Sequence, residues 1–320
     1  MGGDRAPEEP VRGALIAAGE GHSVILVGDE PVLRGEISRQ GGDPDRVRIL
    51  HAPDRIESGD EGARAVRQRP GSSLVMATKL VADGEAGAVV SVGNTGAMMA
   101  AATFILRRIP GVHRAAIAVI LPSETGVLVL LDAGANADAK PEHFPQFALM
   151  GRLFARDFLG VREPRVGLLS IGEERAKGNE LILEAHERLD GTPGFIGNVE
   201  GRDIPAGTAD VVVTDGFTGN VALKLYEGSG RMMMNELRRA AASSKRAALG
   251  GYLLRPALRA VRKRIDPEDH GGAYLLGVQG IAIVGHGNSS GRAVSNAIRL
   301  AGEGIRHGTV AAIAAGIREA

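Results

Sequence analysis

The stretch Ala209-Asp210-Val211-Val212-Val213-Thr214-Asp215-Gly216-Phe217-Thr218-Gly219-Asn220-Val221-Ala222-Leu223-Lys224 decides how the chain is read. Three consecutive β-branched residues predict a buried strand. Two glycines permit backbone conformations that other residues resist, and an amphipathic helix opens at Asn220. A helix begun in this way leaves its first N–H groups uncommitted and its dipole pointing outward, which suits an anion. The plan occurs a second time in Ala88-Val89-Val90-Ser91-Val92-Gly93-Asn94-Thr95-Gly96-Ala97-Met98-Met99, with Gly93-Asn94-Thr95-Gly96 standing against Gly216-Phe217-Thr218-Gly219. Any α/β protein has strand–turn–helix junctions. Two of this kind predict one cleft lined from both sides.

Outward from these turns, strands and helices alternate. Helical periodicity covers Pro7 to Glu20, with Val11, Ala14, Leu15 and Ala18 on one face. Short strands are predicted at Ser23–Val27 and Val47–Leu50, and helices around Asp60–Arg69 and Ser72–Asp83. The helix after the first turn runs to about Arg108, before buried strands at Ala115–Leu121 and Gly126–Leu131 flanking the turn Pro122-Ser123-Glu124-Thr125. Helix Pro141–Leu159, strand Arg165–Ile171, helix Asn179–Leu189 and strand Gly194–Val199 precede the quoted stretch, and a helix from Val221 to about Ser243 follows it. The last cycle is strand Ile281–Val284, the loop Gly285-His286-Gly287-Asn288-Ser289-Ser290-Gly291 and a closing helical region. This alternation predicts an α/β chain with a mainly parallel, doubly wound sheet covered by helices on both faces. It reads as one catalytic unit over 1–320, in one or two lobes about a cleft, with a helical excursion over 229–270. The polar motifs fall at strand ends, and parallel-sheet geometry predicts that they share one edge.

Composition narrows the function. The 320 residues carry 38 basic and 38 acidic side chains, so no global charge points to nucleic acid, and 3% aromatics argue against base-stacking platforms. There is no Cys, which excludes disulfides, thiolate metal sites and a Cys nucleophile. Met1 to Pro7 lacks the apolar core of a signal peptide, and no apolar run approaches the roughly 18 residues of a membrane span. A cytoplasmic location is expected. No Gly-Xaa4-Gly-Lys-Ser/Thr phosphate loop and no Gly-Xaa-Ser-Xaa-Gly elbow occurs, which disfavours a nucleotide kinase and a serine hydrolase.

The candidate site residues sit at the strand ends. In Ser170-Ile171-Gly172-Glu173-Glu174-Arg175-Ala176-Lys177-Gly178-Asn179, Lys177 is placed to neutralise a bound oxyanion, with Glu173 or Glu174 a possible base and solvated surface acids the plain alternative. His286 between two glycines allows close substrate approach, or holds a turn. Asp132, Asp138, Glu142 and His143 match no metal-ligand spacing, so no metal and no cofactor is expected. Between Ser243 and Arg264 lie Lys245, Arg246, Arg255, Arg259, Arg262, Lys263 and Arg264 without an acid, while Leu253, Leu254, Ala257, Leu258 and Val261 fall at helical spacing. Such a helix packs on the body or a dimer partner, lies on anionic lipid, or docks an acidic protein.

Taken in order, Met1-Gly2-Gly3-Asp4, Ser91 to Ala97, Leu131-Asp132-Ala133-Gly134-Ala135-Asn136, Gly172-Glu173-Glu174 with Lys177-Gly178-Asn179, Val199-Glu200-Gly201-Arg202-Asp203 and Asp215 to Asn220 resemble the PlsX-type phosphate acyltransferases. Gly271-Gly272-Ala273, Leu275-Leu276-Gly277 and His286-Gly287 with Ser289 continue a likeness that covers nearly the whole chain. The resemblance implies transfer of a long-chain fatty acyl group from acyl carrier protein to inorganic phosphate, giving acyl phosphate for phospholipid synthesis. It further implies a cytoplasmic homodimer able to associate with membrane and to supply a glycerol-phosphate acyltransferase. The implied fold is related to phosphotransacetylases and to isocitrate/isopropylmalate dehydrogenases. Phosphate is itself nucleophilic, so no Cys or Ser nucleophile is needed; the site must hold one anion and stabilise a second charge on the thioester oxygen.

On this reading Lys177 and the free amides near Gly216 to Asn220 bind phosphate, Asn220 or His286 donates to the thioester oxygen, and Asn94 and Thr95 line the opposite wall. Asp132, Asn136, Glu173, Asn179, Asp203, Asp215, Gly216, Thr218 and Gly219 complete the expected substrate site. Leu253, Leu254, Arg255, Leu258, Arg259 and Arg262 form the expected docking face. Two departures stand out. Relatives carry a short apolar strand ending in Asp-Ala ahead of Met-Gly-Gly-Asp, so the sheet is expected to lack its N-terminal strand and the start to be placed late. Ala139 stands where many relatives carry Cys, which removes any case for an essential thiol there. The competing readings are a metal- and NAD-dependent dehydrogenase of related fold, and a non-catalytic membrane or carrier-protein docking module.

Overall fold

The computed structural model describes residues 1–265 and 271–319, with the side chains of 46, 260 and 262–265 outside that description. From the N-terminus run α1 (Glu8–Gly19), β1 (Ile25–Gly28), α2 (Glu30–Arg39), β2 (Arg48–His51), α3 (Gly62–Gln68), α4 (Ser73–Ala82), β3 (Ala88–Ser91) and α5 (Thr95–Ala101), which continues as a π-helical turn. A hairpin of β4 (Ala116–Ser123) and β5 (Gly126–Leu131) leads to α6 (Phe144–Asp157), β6 (Val166–Leu169), α7 (Glu180–Leu189), β7 (Phe195–Val199), α8 (Asp203–Ala206) and β8 (Val211–Val213). The long α9 (Gly216–Ala242) and α10 (Lys245–Ile265) precede β9 (Ala273–Leu276), β10 (Ile281–Val284), α11 (Gly291–Arg306) and α12 (Thr309–Glu319).

Eight strands form one sheet in the order β3-β10-β9-β4-β5-β8-β6-β7, while β1 and β2 pair apart from it. The strands alternate their side chains between two cores. Ala118, Ile120, Val129, Leu131, Val211 and Val213 face α6, α7, α11 and α12. Ile117, Leu121, Leu128, Leu130, Val212 and Leu275 face the other way, toward Met98 of α5, Ile204 of α8 and Leu223 of α9. No ladder joins β1 to β3. A groove of about 500 Å³ lies between them, walled by Ile25, Val27, Ala88 and Val90 and floored by Leu74 and Ala77 of α4.

The fold is α/β with helices on both faces of a mostly parallel sheet, but the motifs do not share one sheet edge. β3 pairs parallel with β10, and β5, β8, β6 and β7 are parallel to one another. The three central pairings, β10–β9, β9–β4 and β4–β5, are antiparallel. The Glu124-Thr125 hairpin turn reverses direction between β4 and β5, so β3 and β10 end at the edge opposite to β5, β8, β6 and β7. β9 was not anticipated as a strand, because its four residues stand between Gly271-Gly272 and Gly277 and read as a motif. α2 was missed too, although Asp29 caps it and Pro31 lies in its first turn.

α9 and α10 pack on each other and leave much of their apolar surface open. Leu253 is 69% exposed and Leu254 58%, with Tyr252 and Leu249 beside them in sequence at 69% and 63%. Arg255 and Arg259 are exposed on the same helix and Leu258 is half-buried. The side chain of Arg262, and the end of the expected excursion, 266–270, lie outside the described residues. Among the described residues, no helix is long and apolar enough to cross a membrane.

Candidate active site

The quoted stretch folds as a strand, a cap and a helix. Val211 to Val213 are fully buried, and Asp215 caps α9, its Oδ1 accepting from the Thr218 amide at 2.8 Å. Neither Gly216 nor Gly219 adopts a positive φ. They are required by close approach instead: a Cβ on Gly219 would lie 1.9 Å from the Asp132 carbonyl oxygen, and one on Gly216 would lie 2.7 Å from the Asn136 amide nitrogen. The first turn of α9 is thus pressed against residues 132–136. There the Gly216 amide donates to the Asn136 carbonyl at 2.9 Å. With the Thr218 amide held by its own cap and the Gly219 amide bonded to the Asp215 carbonyl, the expected row of free amides is reduced to that of Phe217.

Asp132 builds the loop that receives α9. Its Oδ1 accepts from the amides of Ile117, Gly134 and Ala135 at 3.0, 3.0 and 2.8 Å, and its Oδ2 from the Asn136 amide and side-chain nitrogen at 2.7 and 2.8 Å. Burial pushes this carboxyl above its ordinary value, while the N–H donors pull the other way. Asn136 Nδ2 also donates to the Ala115 carbonyl. The opposite turn is built by the same device. Asn94 Oδ1 caps α5 through the Ala97 amide at 2.9 Å, and its Nδ2 donates to the carbonyls of Glu57, Ser58 and Asp60. At the end of β10, the Ser290 hydroxyl caps α11 at Ala293, and Glu9 of α1 accepts from the Gly291 amide.

A cavity of about 480 Å³ lies on the sheet face between these turns. Ile117, Val119, Leu121, Leu223 and Met99 give it apolar walls. Asn220 and Gly134 lie at one end, and Thr95, His286 and Asn288 at the other. Asn220, Leu223, Lys224 and Glu227 reach it from one face of α9, at the i, i+3, i+4, i+7 positions. That spacing sets Asn220 and Glu227 about 10 Å apart along the helix, so Asn220 and His286 serve opposite ends. Glu227 bonds Lys224 Nζ and His286 Nε2, each at 3.1 Å. Burial opposes its charge, but the His286 hydrogen bond and the Lys224 ammonium outweigh it and hold the carboxyl below its ordinary value.

Of the residues expected from the sequence, Thr95, Asn220 and His286 line the cavity. Asn94, Asp132, Asn136, Asp215, Gly216 and Gly219 form its supporting turns, their polar side chains committed to backbone. Thr218 is exposed on α9. Lys177, Glu173, Asn179 and Asp203 lie at the ends of β6 and β7, outside the lining. Asn179 caps α7 through the Ile182 amide, Asp203 accepts from the Glu200 amide and the Thr208 hydroxyl, and Glu173 pairs with exposed Arg202 at 3.0 Å. The Lys177 carbonyl is held by the Ser170 hydroxyl at 2.9 Å, while its side chain is exposed, without an ion pair among the described residues. Lys224, Glu227 and Tyr226 were not foreseen. The sequence signal for Lys224 and Glu227 was the helical spacing from Asn220. Among the described residues, no three His, Asp or Glu side chains gather to hold a metal ion.

Solved structures of similar shape include a phosphotransacetylase from Streptococcus pyogenes, with a TM-score of 0.61 and 17% identity over 94% of this chain and 92% of that one. The EutD phosphotransacetylase from Staphylococcus aureus gives 0.59 at 16% identity over 93% and 92%. A 4-hydroxythreonine-4-phosphate dehydrogenase from Klebsiella pneumoniae gives 0.53 at 15% over 92% and 94%. At these identities the likeness is one of fold. Sequence relatives are much nearer: the phosphate acyltransferase of Pelotomaculum thermopropionicum is 50% identical over 311 residues, covering 96% of this chain and 90% of that one. That of Thermus thermophilus is 50% identical over 315 residues, covering 98% and 95%. The family described as fatty acid synthesis protein matches residues 1–312, and the chain therefore belongs to the PlsX-type phosphate acyltransferases, transferases that pass an acyl group to phosphate.

Proposed function

We propose that the acyl donor is a long-chain fatty acyl thioester of acyl carrier protein, and that the acyl phosphate formed feeds phospholipid synthesis. The cavity is the observation that carries this reading. Its floor follows β4 from Ile117 to Pro122, roughly 16 Å of strand, which suits an extended hydrocarbon tail and far exceeds an acetyl group. The tail lies along the apolar floor and the thioester reaches the end held by Thr95, Lys224 and His286. Phosphate is held there by Lys224 and Thr95, while Lys177, beyond β6, stands at the opposite edge, toward the Asn220 end of the cavity. Direct attack by phosphate fits a chain without Cys.

The exposed apolar and basic face of α10, with Leu253, Leu254, Arg255 and Arg259, supports docking of an acidic carrier protein or an anionic membrane surface. Homodimer formation, a cytoplasmic location with peripheral membrane contact, and hand-over to a glycerol-phosphate acyltransferase belong to the same reading. Incubation with palmitoyl-carrier protein and phosphate tests it. Phosphate-dependent release of free carrier thiol is expected; its absence with carrier binding intact would leave a docking module instead.

A further inference from the structure

Glu227 has no part in the chemistry so far assigned, yet its carboxylate is only 11% exposed and bridges two groups of the cavity. One oxygen lies 3.1 Å from His286 Nε2 and the other 3.1 Å from Lys224 Nζ. The His286 turn is fixed independently, since the Gly285 amide donates to the Ser91 carbonyl and the Asp4 amide to the Gly287 carbonyl. The ring is thus held from its backbone and from one nitrogen. A carboxylate only accepts, so the hydrogen between them belongs to Nε2. In the neutral ring Nδ1 is then the lone-pair nitrogen, and no hydrogen bond to it is made by the described residues.

Resting on the acyl transfer just proposed, we infer that Glu227 is a positioning residue that fixes His286 with Nδ1 as proton acceptor for the attacking phosphate. The reaction needs such a group. A phosphate oxygen forms the new bond to the acyl carbon, and the carbon–sulfur bond breaks with its electron pair on sulfur. The phosphate O–H proton passes to Nδ1 and then to the sulfur, which leaves as the carrier thiol. Atoms and charge balance without any further reactant. A carboxylate behind the ring stabilises the imidazolium between the two transfers, as a buried acid does behind other catalytic histidines. Lys224 keeps that carboxylate ionised and stands on the cavity wall beside it. This reverses the role first expected of His286, from donor at the thioester oxygen to acceptor at the nucleophile.

The test is Glu227→Gln in the full chain, assayed with palmitoyl-carrier protein and inorganic phosphate, with the His286 ring tautomer read from its nitrogen chemical shifts by NMR. Loss of the Glu227 charge is expected to lower kcat by about a hundredfold with KM for phosphate little changed. It should also release the ring from a single Nε2–H tautomer into a mixture of the two neutral tautomers. Turnover within about a factor of two of wild type, or a ring that keeps its Nε2–H tautomer while turnover falls, overturns the inference. If thermal melts show the variant unfolded, Glu227→Asp decides: a kcat deficit at unchanged KM supports positioning, and normal kcat overturns it. Wild-type protein that makes no acyl phosphate fails the parent reading and this one with it. Active wild type with an unaffected variant fails this one alone.

Discussion

Replacing Asp132 by Asn separates a structural carboxylate from a substrate-binding one. The two oxygens accept from four backbone amides and one side-chain amide at 2.7–3.0 Å, so an Asn NH₂ in either position would face at least two donors. At the Oδ2 position it would oppose both Asn136 nitrogens. Each hydrogen bond to a buried charged group is worth about 1.5–3 kcal/mol, so the loss of two comes to about 3–6 kcal/mol, a large share of the roughly 5–15 kcal/mol that holds a domain. Because Asn136 also receives the Gly216 amide, the start of α9 should loosen with the loop. Urea unfolding measures the stability, and turnover is then scored under conditions where the variant is folded. The reasoning fails if stability falls by less than about 1 kcal/mol while turnover is lost, for the carboxylate would then act on substrate.

Lys224→Ala is expected to cost roughly a hundredfold in turnover with the fold intact, and Lys177→Ala, at the opposite edge, less than about tenfold; a near-normal rate in the first removes Lys224 from phosphate, and a hundredfold loss in the second moves phosphate to the Asn220 end. Gly219→Ala drives a methyl into the Asp132 carbonyl and should destabilise by at least about 1–3 kcal/mol, read by denaturant midpoint, whereas an unchanged midpoint would mean α9 can shift away freely. Charge reversal at Arg255 and Arg259 should weaken binding to carrier protein and to anionic vesicles in co-sedimentation. Unchanged binding to both returns α10 to a packing role.

Local signals in the chain were legible wherever neighbours in sequence decide the outcome. Val211 to Val213 and the caps Asp215 and Asn94 lie where β-branching and Asx chemistry place them. The reversal of strand direction was not read, although the turn at Glu124 was. Pairing of β9 with β4 joins segments more than 150 residues apart, and local periodicity carries no record of it. Separation along the chain also hid half the site. Lys224 and Glu227, three apart on a helix, look like an ordinary solvated pair until His286, 59 residues on from Glu227, is brought against them. The capping residues were over-read for the opposite reason. Asn179, Asp203 and Asp215 have the residue types of ligands, and their carbonyl and carboxylate oxygens are already occupied by the amides of their own turns.

The groove between β1 and β3 bears on how the molecule loosens. The β1–β2 ladder shares no strand-to-strand hydrogen bond with the main sheet, and α1, α2 and α4 supply its packing. Such a corner can open without disturbing the eight-stranded core. Its amides should exchange with solvent deuterium through a low-energy, sub-global event, well before those of Val129 or Val212, which wait for the whole domain to unfold.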